Sequence, residues 1–215
     1  MMRLLLLALI VIGTPSTLLA QDMPLSQIIP ESSTWGKPTA AKWESPQSPS
    51  GLKPIRFSAT LKSKPWTYAT VAGEPAVYLL KPNQPPKKIP VPLIEPAGVV
   101  AWSDDGTLVV ADAGNKYAYA FRIEADGQLT AGDRYYRLRV RPGMERSDAT
   151  AAAIDPVGRV YIAAKEGVHV FDPTGRLCGV LLNPTPTPAV ALIIDPAKKT
   201  LTYQTPESQF SRPLK

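Results

Sequence analysis

Residues 148–182 read DATAAAIDPVGRVYIAAKEGVHVFDPTGRLCGVLL. Three turn signals divide this stretch: Asp155-Pro156-Val157-Gly158, Lys165-Glu166-Gly167 and Asp172-Pro173-Thr174-Gly175. Between and around them lie four short apolar runs, Ala151–Ile154, Val160–Ala163, Val168–Phe171 and Leu177–Leu182. Each run is too short for a stable helix and is bounded by residues that favour tight turns, glycine because it accepts positive φ and aspartate because it hydrogen-bonds its own backbone. Four such strands in succession predict an antiparallel meander.

The same order recurs on both sides. Upstream, PAGVVAWSDDGTLVVADAGNKYAYAFRIEADGQL (96–129) gives Gly98–Trp102, Thr107–Ala111 and Tyr117–Ile123, separated by Asp-Gly and Asp-x-x-Asn turns. A fourth strand is predicted over Arg134–Arg141, with Tyr136, Leu138 and Val140 on one face and Arg137, Arg139 and Arg141 on the other. Downstream, a weaker copy runs through Ala189–Ile194 and Thr200–Gln204 to a tail at Phe210–Leu214. Aligning Ala101-Trp102, Ala153-Ile154 and Leu192-Ile193 gives offsets of 52 and about 39 residues. A four-stranded unit at this period is the signature of a β-propeller blade. A β-sandwich also has short strands and frequent turns, but the repeated order of strand and turn favours blades. The expected fold is all-β: propeller-type blades of four antiparallel strands in a shortened or incomplete ring of about 3–4 blades.

The N-terminal part has another character. Met1–Arg3 is followed by the apolar run Leu4–Ile12, a break at Gly13–Ser16 and Leu18-Leu19-Ala20. That order predicts a secretory signal peptide cleaved near Ala20, and hence an exported, periplasmic or secreted protein. No other segment has the length of a membrane span. Fourteen of the 24 prolines lie between Pro24 and Pro96, which makes long helices there improbable because an interior proline costs about 3 kcal/mol. Residues 21–62 read as a Pro-rich irregular segment and 63–215 as the blade region, with Lys81–Lys88 a turn and basic loop. Trp35, Trp43 and Trp66 are expected to pack against the first blade. A single cysteine, Cys178, and a single histidine, His169, leave no disulfide framework, Cys/His zinc site or Cys–His pair within one chain. The net charge of +6 suits an anionic ligand, but no nucleic-acid motif accompanies it.

Stretches 96–129, 148–182 and 200–215 resemble the senescence-marker-protein and gluconolactonase (regucalcin-like) family of six-bladed propellers. The likeness covers about 120 residues and corresponds to the C-terminal blades only. It implies a calcium- or zinc-dependent lactone hydrolase whose metal is held by an early Glu, an Asn in Pro-Asn-Gly and an Asp in Asp-Gly. A hard cation on oxygen ligands would polarise the lactone carbonyl and acidify a bound water. Carried over residue by residue, Asp148 matches the Asp, although Ala149 follows it in place of Gly. Ala97 in Pro96-Ala97-Gly98 stands where the Asn ligand belongs, and Glu74 is the nearest candidate for the early Glu.

Two functional readings follow. One is a degenerate, non-catalytic or ligand-binding member that takes a small sugar-acid or lactone-like ligand. The other is a metal-dependent lactonase with substituted ligands, with Asp148 as its catalytic and metal-binding carboxylate. A further expectation is a homo-oligomer that completes the ring, because blades shaped for six splay too little to close at four. Arg137, Arg139 and Arg141 are candidates for anion binding or for a solvated outer face. Asp126, Asp155, Asp172 and Asp195 are expected to serve their turns, and His169 and Cys178 the interior.

Overall fold

The computed structural model describes residues 23–44 and 55–215; the expected signal peptide lies outside them. A single helical turn, α1 (Leu25–Ile28), and a two-residue strand, β1 (Thr39–Ala40), come first. Blade I then comprises β2 (Ile55–Thr60), β3 (Thr67–Val71), β4 (Ala76–Leu80) and β5 (Lys87–Pro90). Blade II comprises β6 (Pro96–Ala101), β7 (Thr107–Asp112), β8 (Tyr117–Ile123) and β9 (Leu129–Arg137). Blade III comprises β10 (Ala151–Ile154), β11 (Val160–Ala164), β12 (Gly167–Phe171) and β13 (Leu177–Leu181). Blade IV is built from β14 (Ala191–Asp195), β15 (Thr200–Gln204) and β16 (Ser208–Pro213), and takes β1 as its outermost strand. The architecture is thus an all-β, four-bladed propeller arrangement.

The middle strands explain why strict alternation is weak in the sequence. β11 and β12 are buried at every position, because neighbouring blades cover both faces of each sheet and a strand covered on both sides is apolar throughout. Three buried clusters fill three seams. Tyr68, Leu79, Leu108 and Phe121 join blades I and II. Val109, Tyr136, Ile162 and Phe171 join II and III. Tyr161, Val168, Leu201 and Tyr203 join III and IV, with Ile28 inserted among them. Among the described residues no such cluster joins blade IV to blade I. β1, at the rim of blade IV, and β2, at the inner edge of blade I, are consecutive strands of the chain.

Several details differ from expectation. The fourth strand of blade II ends at Arg137 rather than Arg141, since the chain leaves the sheet to reach blade III. Lys87 and Lys88 open the strand β5 rather than lying in a loop. Residues 55–60, read as irregular, form β2, and the Phe210–Leu214 tail is a full strand from Ser208. Trp66 does pack against the core of blades I and II, but Trp35 stacks edge-on against Tyr203 of blade IV, 5.9 Å between ring centroids. The Trp43 amide donates to the Pro206 carbonyl (3.0 Å) in the same blade. The pairing Thr39↔Gln209 and Ala40↔Ser208 accounts for this: the N-terminal segment belongs to the last blade.

Candidate functional site

Strands that alternate in direction bring each blade's second-to-third turn and its link to the next blade to one end of the sheet. That end collects Glu74, Glu95, Arg146, Asp148, Lys165 and Asn183. There a chain of ion pairs runs from blade I to blade III. Arg56 Nη1 meets Glu95 Oε1 at 3.1 Å, and Arg146 Nη2 meets Glu95 Oε2 at 2.9 Å. Arg146 Nε then reaches Asp148 Oδ1 at 3.1 Å, and Lys165 Nζ lies 3.9 Å from Asp148 Oδ2. Burial pushes the Glu95 carboxyl up, but hydrogen bonds from Arg146 and Arg56 outweigh it and hold it below the usual range. The same bonds to Glu95 and Asp148 raise the Arg146 guanidinium.

The backbone beneath this chain is tightly fixed. Asp148 sits at φ +50°, a left-handed conformation that aspartate tolerates better than most residues. Its N–H donates to the Ala113 carbonyl (3.1 Å), and Ser147 donates from N to Asn115 O (3.0 Å) and from Oγ to Asp112 O (3.0 Å). Asp112, fully buried at the end of β7, accepts the N–H groups of Ile94 (3.0 Å), Glu95 (2.8 Å) and Gly114 (3.0 Å). Asp112 therefore orients Glu95 and supports the turn on which Asp148 rests. Sequence reasoning missed it. The sequence marked it only as the first residue of the Asp112–Asn115 turn.

The other two inherited positions do not join Asp148. Ala97 is fully buried in β6, and its carbonyl accepts the Thr70 hydroxyl at 2.8 Å. Glu74, in the turn between β3 and β4, pairs with Lys88 of β5 at 2.6 Å. Among the described residues no three His, Cys, Asp or Glu side chains converge as a metal site. Asp148 does face a pocket of about 310 Å³ that it shares with Thr150, Lys165, Asn183 and Tyr203. Asn183 Nδ2 donates to Ala164 O at 2.9 Å, while its Oδ1 is buried and has no partner.

The remaining candidates lie elsewhere. Asp155 accepts from the N–H groups of Val157 (3.1 Å) and Arg159 (3.0 Å), and Asp172 from those of Thr174 (2.8 Å) and Arg176 (3.0 Å). Asp126 takes Gln128 N (2.9 Å) and Asp195 takes Lys198 N (3.0 Å). All four serve their own turns. His169 is buried within blade III. Burial also pushes the Cys178 thiol up, away from the reactive thiolate. Arg137, Arg139 and Arg141 gather along one groove between blades II and III.

The sequence matches the model of the family described as "SMP-30/Gluconolactonase/LRE-like region" over residues 60–205. The chain belongs to this family. No curated protein matches it. Among solved structures it is similar to a gluconolactonase of Xanthomonas campestris, with TM-score 0.60 and 22% identity over 78% of this chain and 60% of that one. It is also similar to a calcium-binding regucalcin of Agrobacterium tumefaciens (TM-score 0.58, 11% identity, 73% of this chain and 60% of that one). A luciferin-regenerating enzyme gives TM-score 0.57 and 13% identity over 74% and 61%. At these identities the likeness is one of fold, and the chain spans about 60% of the length of the structures it matches. The family resemblance calls for a divalent cation on Asp148 and its two companions. The donor set does not fit one: Ala97 offers a methyl group, Glu74 is committed to Lys88, and Asp148 already faces Arg146 and Lys165. A divalent ion placed there would meet the positive charges of Arg146 and Lys165.

Proposed function

We propose that this gluconolactonase-like propeller is a non-catalytic, exported, ligand-binding member of its family, which takes a small sugar acid or lactone without a metal. The carrying observation is Arg146, whose guanidinium engages Asp148 and Glu95 together. A guanidinium paired with this carboxylate offsets the charge that a metal would need, yet it does not supply the open coordination position that activates water. The pocket beside it offers an ammonium, a hydroxyl, a carboxylate and the unpartnered Asn183 Oδ1, a set suited to a ligand carrying both hydroxyl and carboxylate or lactone oxygens. Export rests on the Met1–Ala20 pattern.

Two measurements test this reading. Glucono-δ-lactone hydrolysis followed with calcium or zinc is expected to stay at the uncatalysed rate, and neither metal at millimolar concentration is expected to raise the melting temperature. Calorimetry with gluconate in the absence of metal is expected to show binding that Lys165→Ala weakens. Metal-dependent turnover abolished by Asp148→Ala would overturn the proposal in favour of a lactonase with substituted ligands. N-terminal sequencing of the protein recovered from the periplasm or medium should begin near Gln21.

A further inference from the structure

A second polar surface shares no lining residue with the Asp148 pocket. The chain leaving β9 crosses to blade III through residues 138–147, and its outer side borders a groove of about 650 Å³. Arg137, Arg139, Arg141, Lys116, Tyr135 and Met144 line it, with Phe171, Gly175 and Leu177 of blade III on the far wall. Buried anchors hold the segment in place. Tyr136 and Leu138 are buried, and Leu138 N–H donates to Lys116 O at 2.9 Å. Arg139 N–H donates to His169 Nε2 at 2.9 Å. Alternation therefore continues past the end of the strand and keeps Arg137 and Arg139 outward.

The charge balance narrows what could occupy the groove. Lys116 is paired with Glu145 (2.6 Å) and Arg141 with Glu166 (2.9 Å). Arg137 and Arg139 have no ion-pair partner among the described residues. Two guanidiniums are thus in excess, two residues apart in extended chain, or about 6.6 Å along the backbone. Guanidinium binds carboxylate in a bidentate, planar manner. Tyr135 presents a ring 37% exposed at the groove, fixed edge-on against Trp102 and Tyr136 at 5.8 and 4.9 Å. Met144, 42% exposed, adds an apolar surface. A fixed aromatic face and two carboxylate receptors match a ring-shaped ligand with repeated carboxylates. A dense polyphosphate would meet Glu145 and Glu166 on the rim and too few free cations.

We propose that this groove binds a short acidic oligosaccharide of the uronate type, with successive carboxylates on Arg137 and Arg139 and a sugar ring against Tyr135. The site is separate from the Asp148 pocket and does not depend on how that pocket is read. The test is calorimetry of the full-length mature protein with a tetragalacturonate probe. Its methyl ester, an oligothymidylate and a poly-glutamate peptide serve as comparisons. Tetragalacturonate is expected to bind, and more weakly as salt rises. The methyl ester is expected not to bind. Arg137→Gln with Arg139→Gln should lower affinity at least tenfold while the melting temperature stays unchanged, and Tyr135→Ala should lower it with the salt dependence retained. No binding of tetragalacturonate at millimolar concentration, or equal binding by the double variant, would overturn the proposal. So would tighter binding of the oligothymidylate or the peptide. Unchanged gluconate binding in the double variant keeps the two sites distinguishable.

Discussion

Arg146 donates from Nε to Asp148 Oδ1 at 3.1 Å while its Nη2 holds Glu95 at 2.9 Å, so one guanidinium ties the entries to blades II and III. The partners are half exposed, and an exposed ion pair contributes about 0.2–1 kcal/mol. A double-mutant cycle of Arg146→Gln and Asp148→Asn should therefore give a coupling in that range, shrinking in high salt. Asn at position 148 keeps a residue that tolerates φ +50°, so the cycle reports charge rather than backbone strain. A coupling of zero in dilute buffer would refute the bridging role.

The blades were legible in the sequence because turn chemistry is local. Asp172 and Gly175 announce their turn from four adjacent residues. The site was legible only in part. Asp148 could be placed by its position ahead of a repeat, but its partners Glu95 and Arg146 belong to different connections and nothing in their flanking residues marks them. The role of the N-terminal segment was illegible for the same reason. Thr39 pairs with Gln209 across most of the chain, and a two-residue strand carries no periodicity to read.

Gly98 provides a packing test. A Cβ built there would stand 2.5 Å from both Ala151 C and Ala152 N, where the inner strands β6 and β10 meet. Backbone cannot yield as a flexible side chain can. Gly98→Ala is expected to cost about 1–3 kcal/mol as overpacking, a fall of about 2–4 °C in melting temperature per kcal/mol at this chain length. Gly143→Ala is the contrast: nothing lies within 4 Å of its added Cβ, but φ is +82°. Its cost should come from the backbone conformation alone and stay near 1 kcal/mol.

The pH dependence of stability should carry a His169 contribution. Burial holds the imidazole below its ordinary value of 6.5, against hydrogen bonds at Gly167 and Arg139 that raise it. The neutral ring donates from Nδ1 to Gly167 O (3.2 Å) and accepts at Nε2 from Arg139 N–H. As pH falls through 6.5 the unfolded chain takes up the proton first, so unfolding becomes easier until the folded-state pKa is passed. Urea midpoints should therefore decline from about pH 7.5 to 5.5, and His169→Gln should flatten that decline. A second loss, from Glu95, belongs below its ordinary value of 4.5 because its pKa is lowered in the folded state. Wild-type midpoints that stay level across the upper window would exclude the His169 contribution.

The N-terminal segment should prove integral to blade IV. Ile28 is fully buried among Tyr161, Leu201 and Tyr203, and the Lys215 N–H donates to its carbonyl at 2.9 Å. Trp35 donates from Nε1 to Leu182 O at 2.7 Å and stacks on Tyr203. Arg212 Nη2 reaches Ser33 O at 2.6 Å. Removing a buried aliphatic side chain of this kind costs about 2–5 kcal/mol. Ile28→Ala should therefore lower the urea midpoint strongly. Trp35→Ala should cost less than the about 3–5 kcal/mol of a fully buried aromatic, because its side chain is only partly buried. Hydrogen exchange separates a local from a global role. In Ile28→Ala the amides of β15 and β16 are expected to lose protection first, while those of β7 and β8 retain it. Uniform loss across all four blades would show instead that the seam between III and IV is coupled to the whole fold.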